Sequence, residues 1–245
     1  MFNWFKKSEP RNITFDYSSL MVDMHSHVLP GIDDGAQTPE ESIVLIKKMM
    51  ELGIKKIIAT PHIMADYYRN TAETINASLE ILKAELEKEK INIAVEAAAE
   101  HYFDETFEDR IDNGKLMIMG DNYVLFEFSF VSKPPNVIPV IQKLRTLGYK
   151  PILAHPERYP YIDADQLRTY REWGLNFQLN SISLTGYYGR EAKKTAETLI
   201  DAQLIDFISS DMHHIKHAEA FKAALTMPYM EKLLFDYPLK NILLR

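Results

Sequence analysis

With 245 residues, 46% of them hydrophobic and 26% charged, the chain has the size and composition of one large globular domain, which excludes disordered and fibrous classes. A net charge of −7 argues against nucleic acid as the main partner, because phosphate backbones are held by basic surface. The lack of cysteine removes disulfides and every thiolate nucleophile and suits a cytoplasmic protein, while no run reaches the ~20 apolar residues of a membrane span.

The opening "MFNWFKKSEP" has no apolar core for a signal peptide, so residues 1–19 read as a loose arm that packs two aromatics on the domain formed by residues 20–245. In "LMVDMH" Val22 and Met24 alternate with Asp23 and His25, which predicts an extended chain. His25 and His27 then share a face and can grip one ion, although an H-x-H pair alone is equally consistent with a polar turn. Pro30 and Gly31 break the strand, and the turn Asp33-Asp34-Gly35 can bring a carboxylate back over the same spot. A helix follows from Thr38 to Leu52, with Thr38 and Glu41 as a capping box, Pro39 at N1 and Gly53 at its end.

The same alternation repeats to the C-terminus. "KKIIAT" leads into "TPHI" with His62; an amphipathic helix spans about Thr71 to Lys90; "NIAVEAAAE" ends on Glu100. "NYVLFEFSF" carries Glu127, and helices over about Asn136–Leu147, Asp165–Trp173 and Arg190–Ala202 separate "KPILAHP", "NFQLNS" and "DFISSD". Strands alternating with helices imply right-handed crossovers and a parallel sheet. Seven such units, without a G-x-G-x-x-G turn, favour a closed (βα)7 TIM-like barrel over an open doubly wound sheet.

Six of the seven strands deliver an imidazole or carboxylate to their C-terminal end, the face where barrel enzymes build their sites. The series is His25 and His27, His62, Glu100, Glu127, His155, then Asp211 with His213. Imidazoles and carboxylates suit Zn²⁺, Mn²⁺ and Fe²⁺, and their number exceeds one coordination sphere, so a cluster of two or three ions bridged by Glu100 or Glu127 is expected. Arg158, three residues beyond His155, has the planar fork to clamp a phosphate. Each residue has a plainer reading: His62 and His155 as hydrogen-bonded core histidines, Arg158 as a surface ion-pair partner, Asp33 and Asp34 as turn formers. Glu127 lies between Phe126 and Phe128, where an unpaired acid is costly, which favours coordination. His101, His214 and His217 have no strand-end position and are left unassigned.

From about residue 20 onward, "DMHSHVLPGIDDG", "TPH", "AAEHYF", "LFEFS", "AHPERY" and "SDMH", in that order, resemble the PHP superfamily of polymerase and histidinol phosphatase domains, and within it the manganese-dependent protein-tyrosine phosphatases of bacterial capsule and exopolysaccharide gene clusters. The resemblance implies a distorted seven-stranded barrel. It implies metal ligands at His25, His27, Asp34, His62, Glu100, Glu127, His155, Asp211 and His213, and a phosphate-binding role for Arg158. The substrate it implies is phosphotyrosine on a tyrosine kinase that controls polysaccharide export, attacked in line by a metal-activated hydroxide. One departure stands out: a second arginine is expected shortly after the D-x-H motif, but "DMHHIKHAEAF" has none, so either Lys216 or His217 substitutes or one phosphate contact is missing. A phosphatase for a small metabolite such as histidinol phosphate, and a non-catalytic phosphotyrosine- or kinase-binding module, are the alternatives.

Overall fold

A computed structural model describes residues 15–245, so the two aromatics assigned to a terminal arm lie outside the described residues. Packing starts before residue 20. Tyr17 is fully buried, stacks on Phe221 at 3.9 Å and donates its hydroxyl to the Phe221 carbonyl at 2.8 Å.

Among the described residues, all nine strands pair in parallel. One sheet holds β1 (Val22–Asp23), β2 (Lys56–Ala59) and β4 (Ala94–Ala97). The other runs in the order β3 (His62–Ile63), β5 (Glu100–Tyr102), β6 (Tyr123–Glu127), β7 (Lys150–Ala154), β8 (Asn176–Asn180) and β9 (Phe207–Ser209). β2 and β3 are one chain run interrupted at Thr60-Pro61, and β4 and β5 another interrupted at Ala98-Ala99. Ladder bonds bridge the interruption, Ala98 N–H to the Ala59 carbonyl at 2.8 Å and Glu100 N–H to the Pro61 carbonyl at 3.1 Å. Seven strand positions therefore remain, and first meets last: Ser26 bridges Met212, with His27 N–H donating to Met212 at 2.8 Å and Asp211 N–H to His25 at 2.9 Å. The expected seven-stranded barrel is closed.

The pleat sorts side chains to either wall. Val124 and Phe126 of β6 and Leu153 of β7 face outward to join the large core under the helices. Val22, Ile58, Leu125, Ile152 and Phe207 meet in a second, smaller core, and only the lumen brings residues of five strands together; Leu244 packs with them near the C-terminus. Glu127 continues the inward row of Tyr123 and Leu125, which puts its carboxylate in the mouth while Phe126 and Phe128 stay in the outer core.

The helices follow their sequence signals closely. α1 (Pro39–Glu51) starts at N-cap Thr38, but the expected capping box is altered: Thr38 accepts from Glu41 N–H, whereas the Glu41 carboxylate reaches one residue further back, to Gln37 N–H at 2.8 Å. The reciprocal box forms instead at α2 (Ala72–Lys88), between Thr71 and Thr74. α4 (Val137–Thr146), α5 (Ala164–Glu172) and α6 (Arg190–Asp201) stand within one residue or so of expectation; α3 (Phe107–Asp112) and α8 (Pro228–Phe235) were not anticipated, and α7 (Ile215–Ala224) follows the D-x-H motif. Among the described residues no helix is long and apolar enough to cross a membrane.

Asp23, buried in the two-residue strand β1, joins the two ends of the barrel by accepting from Ser209 Oγ at 2.7 Å and Ser210 N–H at 2.9 Å. Asp23→Ala strands both donors in a dry site and is expected to lower unfolding stability by about 2–3 kcal/mol. Ser209→Ala keeps the Ser210 bond but removes the acceptor of Met24 N–H at 3.0 Å and His25 N–H at 2.8 Å, so it should cost a comparable amount; urea midpoints of the two variants check it.

Candidate metal centre

The barrel mouth gathers all nine sequence-predicted ligands. Their donor atoms form four overlapping groups, each within 4.8 Å: His27, Asp34, His62 and His213; His25, His27 and Glu100; His25, His155 and Asp211; His62, Glu100 and Glu127. Glu100 is the hub. One carboxylate oxygen lies 3.3 Å from His25 Nε2, 3.4 Å from His27 Nε2 and 3.1 Å from His62 Nδ1, and the other lies 3.0 Å from His155 Nε2. Asp211 Oδ1 stands 3.4 Å from His25 and 3.5 Å from His27. Asp34, half exposed at the rim, stands 3.5 Å from both His62 and His213.

These spacings carry chemical information. Two ligand atoms ~2.1 Å from a shared cation sit about 3.0 Å apart on an octahedral edge and about 3.4 Å apart on a tetrahedral one. His62 Nδ1 is buried and makes no hydrogen bond, although it lies 3.1 Å from both Glu100 and Glu127. A cation between the three groups satisfies that nitrogen where a hydrogen bond does not. The donor set of imidazole and carboxylate fits a borderline divalent ion.

The electrostatics agree. Burial pushes the Glu100 carboxyl up, but His25 and His62 outweigh it and hold the group well below the ordinary range. Burial also raises Asp211, and His25 and His213 reverse the effect. Burial and neighbouring His27 depress His62, yet Glu100 and Glu127 lift it to about 9. Without a metal, protons on the imidazoles balance the carboxylates; a divalent ion supplies that charge by displacing them.

The supporting residues were only partly visible in the sequence. His27 Nδ1 meets Asp33 at 2.7 Å, and Asp33 also accepts from Gly35 N–H at 2.9 Å and His62 N–H at 3.2 Å. Asp33 therefore does more than form a turn. Gly35 is fixed by contact: a Cβ there would overlap the His27 carbonyl and lie 2.5 Å from the His27 Cβ. β8, the one strand without an ionisable end residue, contributes amides. Gln178 Oε1 meets His25 Nδ1 at 2.9 Å, its Nε2 donates to Asn180 at 2.9 Å, and Asn180 Nδ2 donates to Asp211 Oδ2 at 2.6 Å. The alternation of Gln178 and Asn180 in "NFQLNS" was the available signal, since buried amides need partners. His155 and Asp211 hold left-handed backbone at φ 34° and 52°, a conformation that costs non-glycine residues on the order of 1 kcal/mol.

Arg158 lies in the wall of the same cleft of about 550 Å³, its Nη1 3.3 Å from Asp211 Oδ2. It is not a remote surface ion-pair residue. Of the two substitutes for the absent arginine, Lys216 is exposed and stands outside the lining, whereas His217 is buried within it, with Nδ1 2.9 Å from the Asp211 carbonyl. His214 also reaches the rim; His101 faces away, packs on Phe107 at 5.8 Å and accepts from Met117 N–H.

Comparison with known proteins narrows this geometry to one lineage, because the sequence profile of the capsular polysaccharide synthesis family CpsB/CapC matches residues 21–242. The chain belongs to the CpsB/CapC family. Tyrosine-protein phosphatase YwqE of Bacillus subtilis strain 168 is 34% identical over 199 residues, 80% of this chain and 78% of YwqE. Putative tyrosine-protein phosphatase CapC of Staphylococcus aureus is 32% identical over 224 residues, 88% and 82% of the two chains. A solved structure from the pair YwqE of B. subtilis and CpsB of Streptococcus pneumoniae, called unique metal-dependent tyrosine phosphatases, superposes with a TM-score of 0.77 at 32% identity, covering 89% of this chain and 96% of that one. An amidohydrolase from Mycoplasma synoviae, 13% identical with a TM-score of 0.58 over 98% of this chain and 92% of its own, shares the barrel fold alone.

Because Gln178 fixes both the tautomer and the tilt of His25, Gln178→Leu in this CpsB/CapC protein should weaken divalent-metal affinity by about 10–100-fold. Titration of the chelator-treated protein with Mn²⁺ measures it; unchanged affinity would show that His25 orients itself.

Proposed function

We propose that this chain is a metal-dependent protein-tyrosine phosphatase whose nine clustered side chains hold two or three divalent ions, with manganese favoured over iron or zinc, and whose Arg158 binds the substrate phosphate. The observation that carries the reading is the convergence of those nine donors, at coordination spacing, beside an arginine in one open cleft. Residues 20–245 act as the phosphatase domain. The chain acts in the cytoplasm, in line with its lack of cysteine, and its substrate is phosphotyrosine on a tyrosine kinase that controls polysaccharide export, in line with the names of the relatives.

The residues divide the work by chemistry. Bound ions supply an activated hydroxide at neutral pH and neutralise charge on the phosphoryl oxygens. The Arg158 fork offers in-plane donors to two of those oxygens, where charge builds as the bond to phosphorus breaks. Tyr68 and Phe130 give the cleft aromatic walls against which a tyrosyl ring can pack, and exposed Tyr67 and Val131 extend that surface outward. A phenolate, with an ordinary pKa of about 10, leaves with little help. His217, its Nδ1 held by backbone, has only Nε2 to offer where the family expectation places a second arginine.

Three outcomes test the proposal. Exhaustive chelation should abolish hydrolysis of p-nitrophenyl phosphate, with Mn²⁺ restoring it; activity that survives metal removal sinks the assignment. His25→Ala and Asp211→Asn should lose metal and turnover together while circular dichroism still reports a folded barrel. Arg158→Lys should keep its full metal content yet turn over a phosphotyrosine peptide about 10²-fold more slowly, as loss of one preorganised donor does. Parallel assays on histidinol phosphate separate the protein substrate from the small metabolite.

A further inference from the structure

The guanidinium of Arg158 lies over two rings. Its Cζ sits 4.0 Å from the centroid of Tyr188 and 4.4 Å from that of Phe130. The rings come from separate loops, Phe130 from the segment after β6 and Tyr188 from the segment after the 3₁₀ turn Ser181–Thr185. Each is braced. Phe130 stacks on Tyr159 at 5.6 Å and 27°. The Tyr159 hydroxyl in turn accepts from Phe128 N–H at 3.0 Å and donates to the Ala154 carbonyl at 3.1 Å, which ties it to the ends of two neighbouring strands. Tyr188 meets Tyr187 edge-on at 5.3 Å.

We propose that Phe130 and Tyr188 are positioning residues that clamp the Arg158 guanidinium so that its in-plane N–H groups face the cleft, Tyr188 acting through both ring and hydroxyl. Stacked rings engage the faces of a guanidinium and leave its in-plane donors free. One of those donors goes to Asp211 Oδ2 at 3.3 Å. That oxygen also accepts from Asn180 at 2.6 Å and from the Tyr188 hydroxyl at 3.4 Å, so Tyr188 holds the arginine from its face and shares its acceptor. The donors not turned toward Asp211 remain for a phosphate. The long arginine side chain at the end of the 3₁₀ turn Pro156–Arg158 has many rotamers, and fixing one before substrate arrives removes that ordering cost from the reaction. The inference rests on the phosphatase reading for its kinetic consequence and on geometry alone for the clamp.

The clamp is tested first without any reaction. In ¹⁵N NMR of the full chain, the Arg158 Nε–Hε signal, assigned by its loss in Arg158→Lys, should be shifted by ring currents and as rigid as the backbone. In Tyr188→Leu and in Phe130→Leu it should move toward the position and mobility of an exposed arginine. A mobile, unshifted signal in the unaltered protein would overturn the clamp. With Mn²⁺ and p-nitrophenyl phosphate, Tyr188→Leu should lower kcat/KM about tenfold at unchanged metal content, and Tyr188→Phe, which keeps the ring, should recover most of it. Added to Arg158→Ala, Tyr188→Leu should cost less than about twofold more, since its effect runs through the arginine. Full additivity would refute that route. A rigid, ring-shifted Arg158 in a metal-loaded protein that hydrolyses no phosphomonoester would keep the clamp and refute the phosphatase reading. Phe130, partly exposed, supplies the second variant should Tyr188→Leu fold poorly.

Discussion

Burying Glu100, Glu127 and Asp211 against five imidazoles at the mouth of a closed barrel is the constraint on which the rest of the structure turns. An isolated carboxylate taken out of water is too costly to keep charged, and it survives only when positive charge and hydrogen bonds surround it. The imidazoles provide that charge by proton or by shared metal. The barrel has to bring them from six strand ends to within a few ångströms of one another, and this requires its first and last strands to be joined. Asp23 with Ser209 and Ser210, and the bridge between Ser26 and Met212, make that junction directly beneath the cluster.

The junction accounts for the irregular backbone around it. His155 sits in a left-handed conformation just past β7, where regular alternation with lumen-facing Ala154 would turn its side chain outward, and Asp211 is left-handed just past β9. Asp211 N–H is bonded to the His25 carbonyl, so the turn that strains Asp211 also closes the barrel. Gly35 belongs to the same economy of space: the Asp33-Asp34-Gly35 turn must pass against the His27 backbone to set Asp33 against the His27 ring and Asp34 beside His62 and His213 at the rim of the mouth. Gln178 and Asn180 complete the frame by linking His25 to Asp211 through an uncharged amide relay, which adds no further charge to a crowded site.

Around this centre the cleft wall is aromatic and its one arginine is held over two rings. The family expectation of a second arginine meets His217 in the lining, a residue whose burial depresses its basicity to about 4. A neutral imidazole there gives at most one directional donor and no full charge. Arg158 thus stands as the permanent cation of the cleft wall, with one donor on Asp211 and the others turned from it, which gives the rings that orient it their importance.

By itself the sequence determined the seven strand-and-helix units, the closed barrel and eight of the nine candidate ligands, because period-two runs ending in His, Glu or Asp are local patterns that survive without knowledge of packing; Asp34 came from the family resemblance, and α3 and α8 gave no such pattern. Glu127 was legible for the same reason: an acid in an apolar strand has to have partners. Only the tertiary structure decided what depends on through-space distance. It made Asp33 a partner of the His27 ring, turned the Glu41 side chain to Gln37 in place of its own N-cap, and chose His217 over Lys216 for the cleft. It also brought Gln178 and Asn180 from the one strand without an ionisable end residue into contact with two ligands, and set Phe130 and Tyr188, 58 positions apart in the chain, against Arg158. A buried amide in a strand signals that it needs a partner, but which partner it or a ring meets comes from the neighbour that the closure of the barrel places beside it.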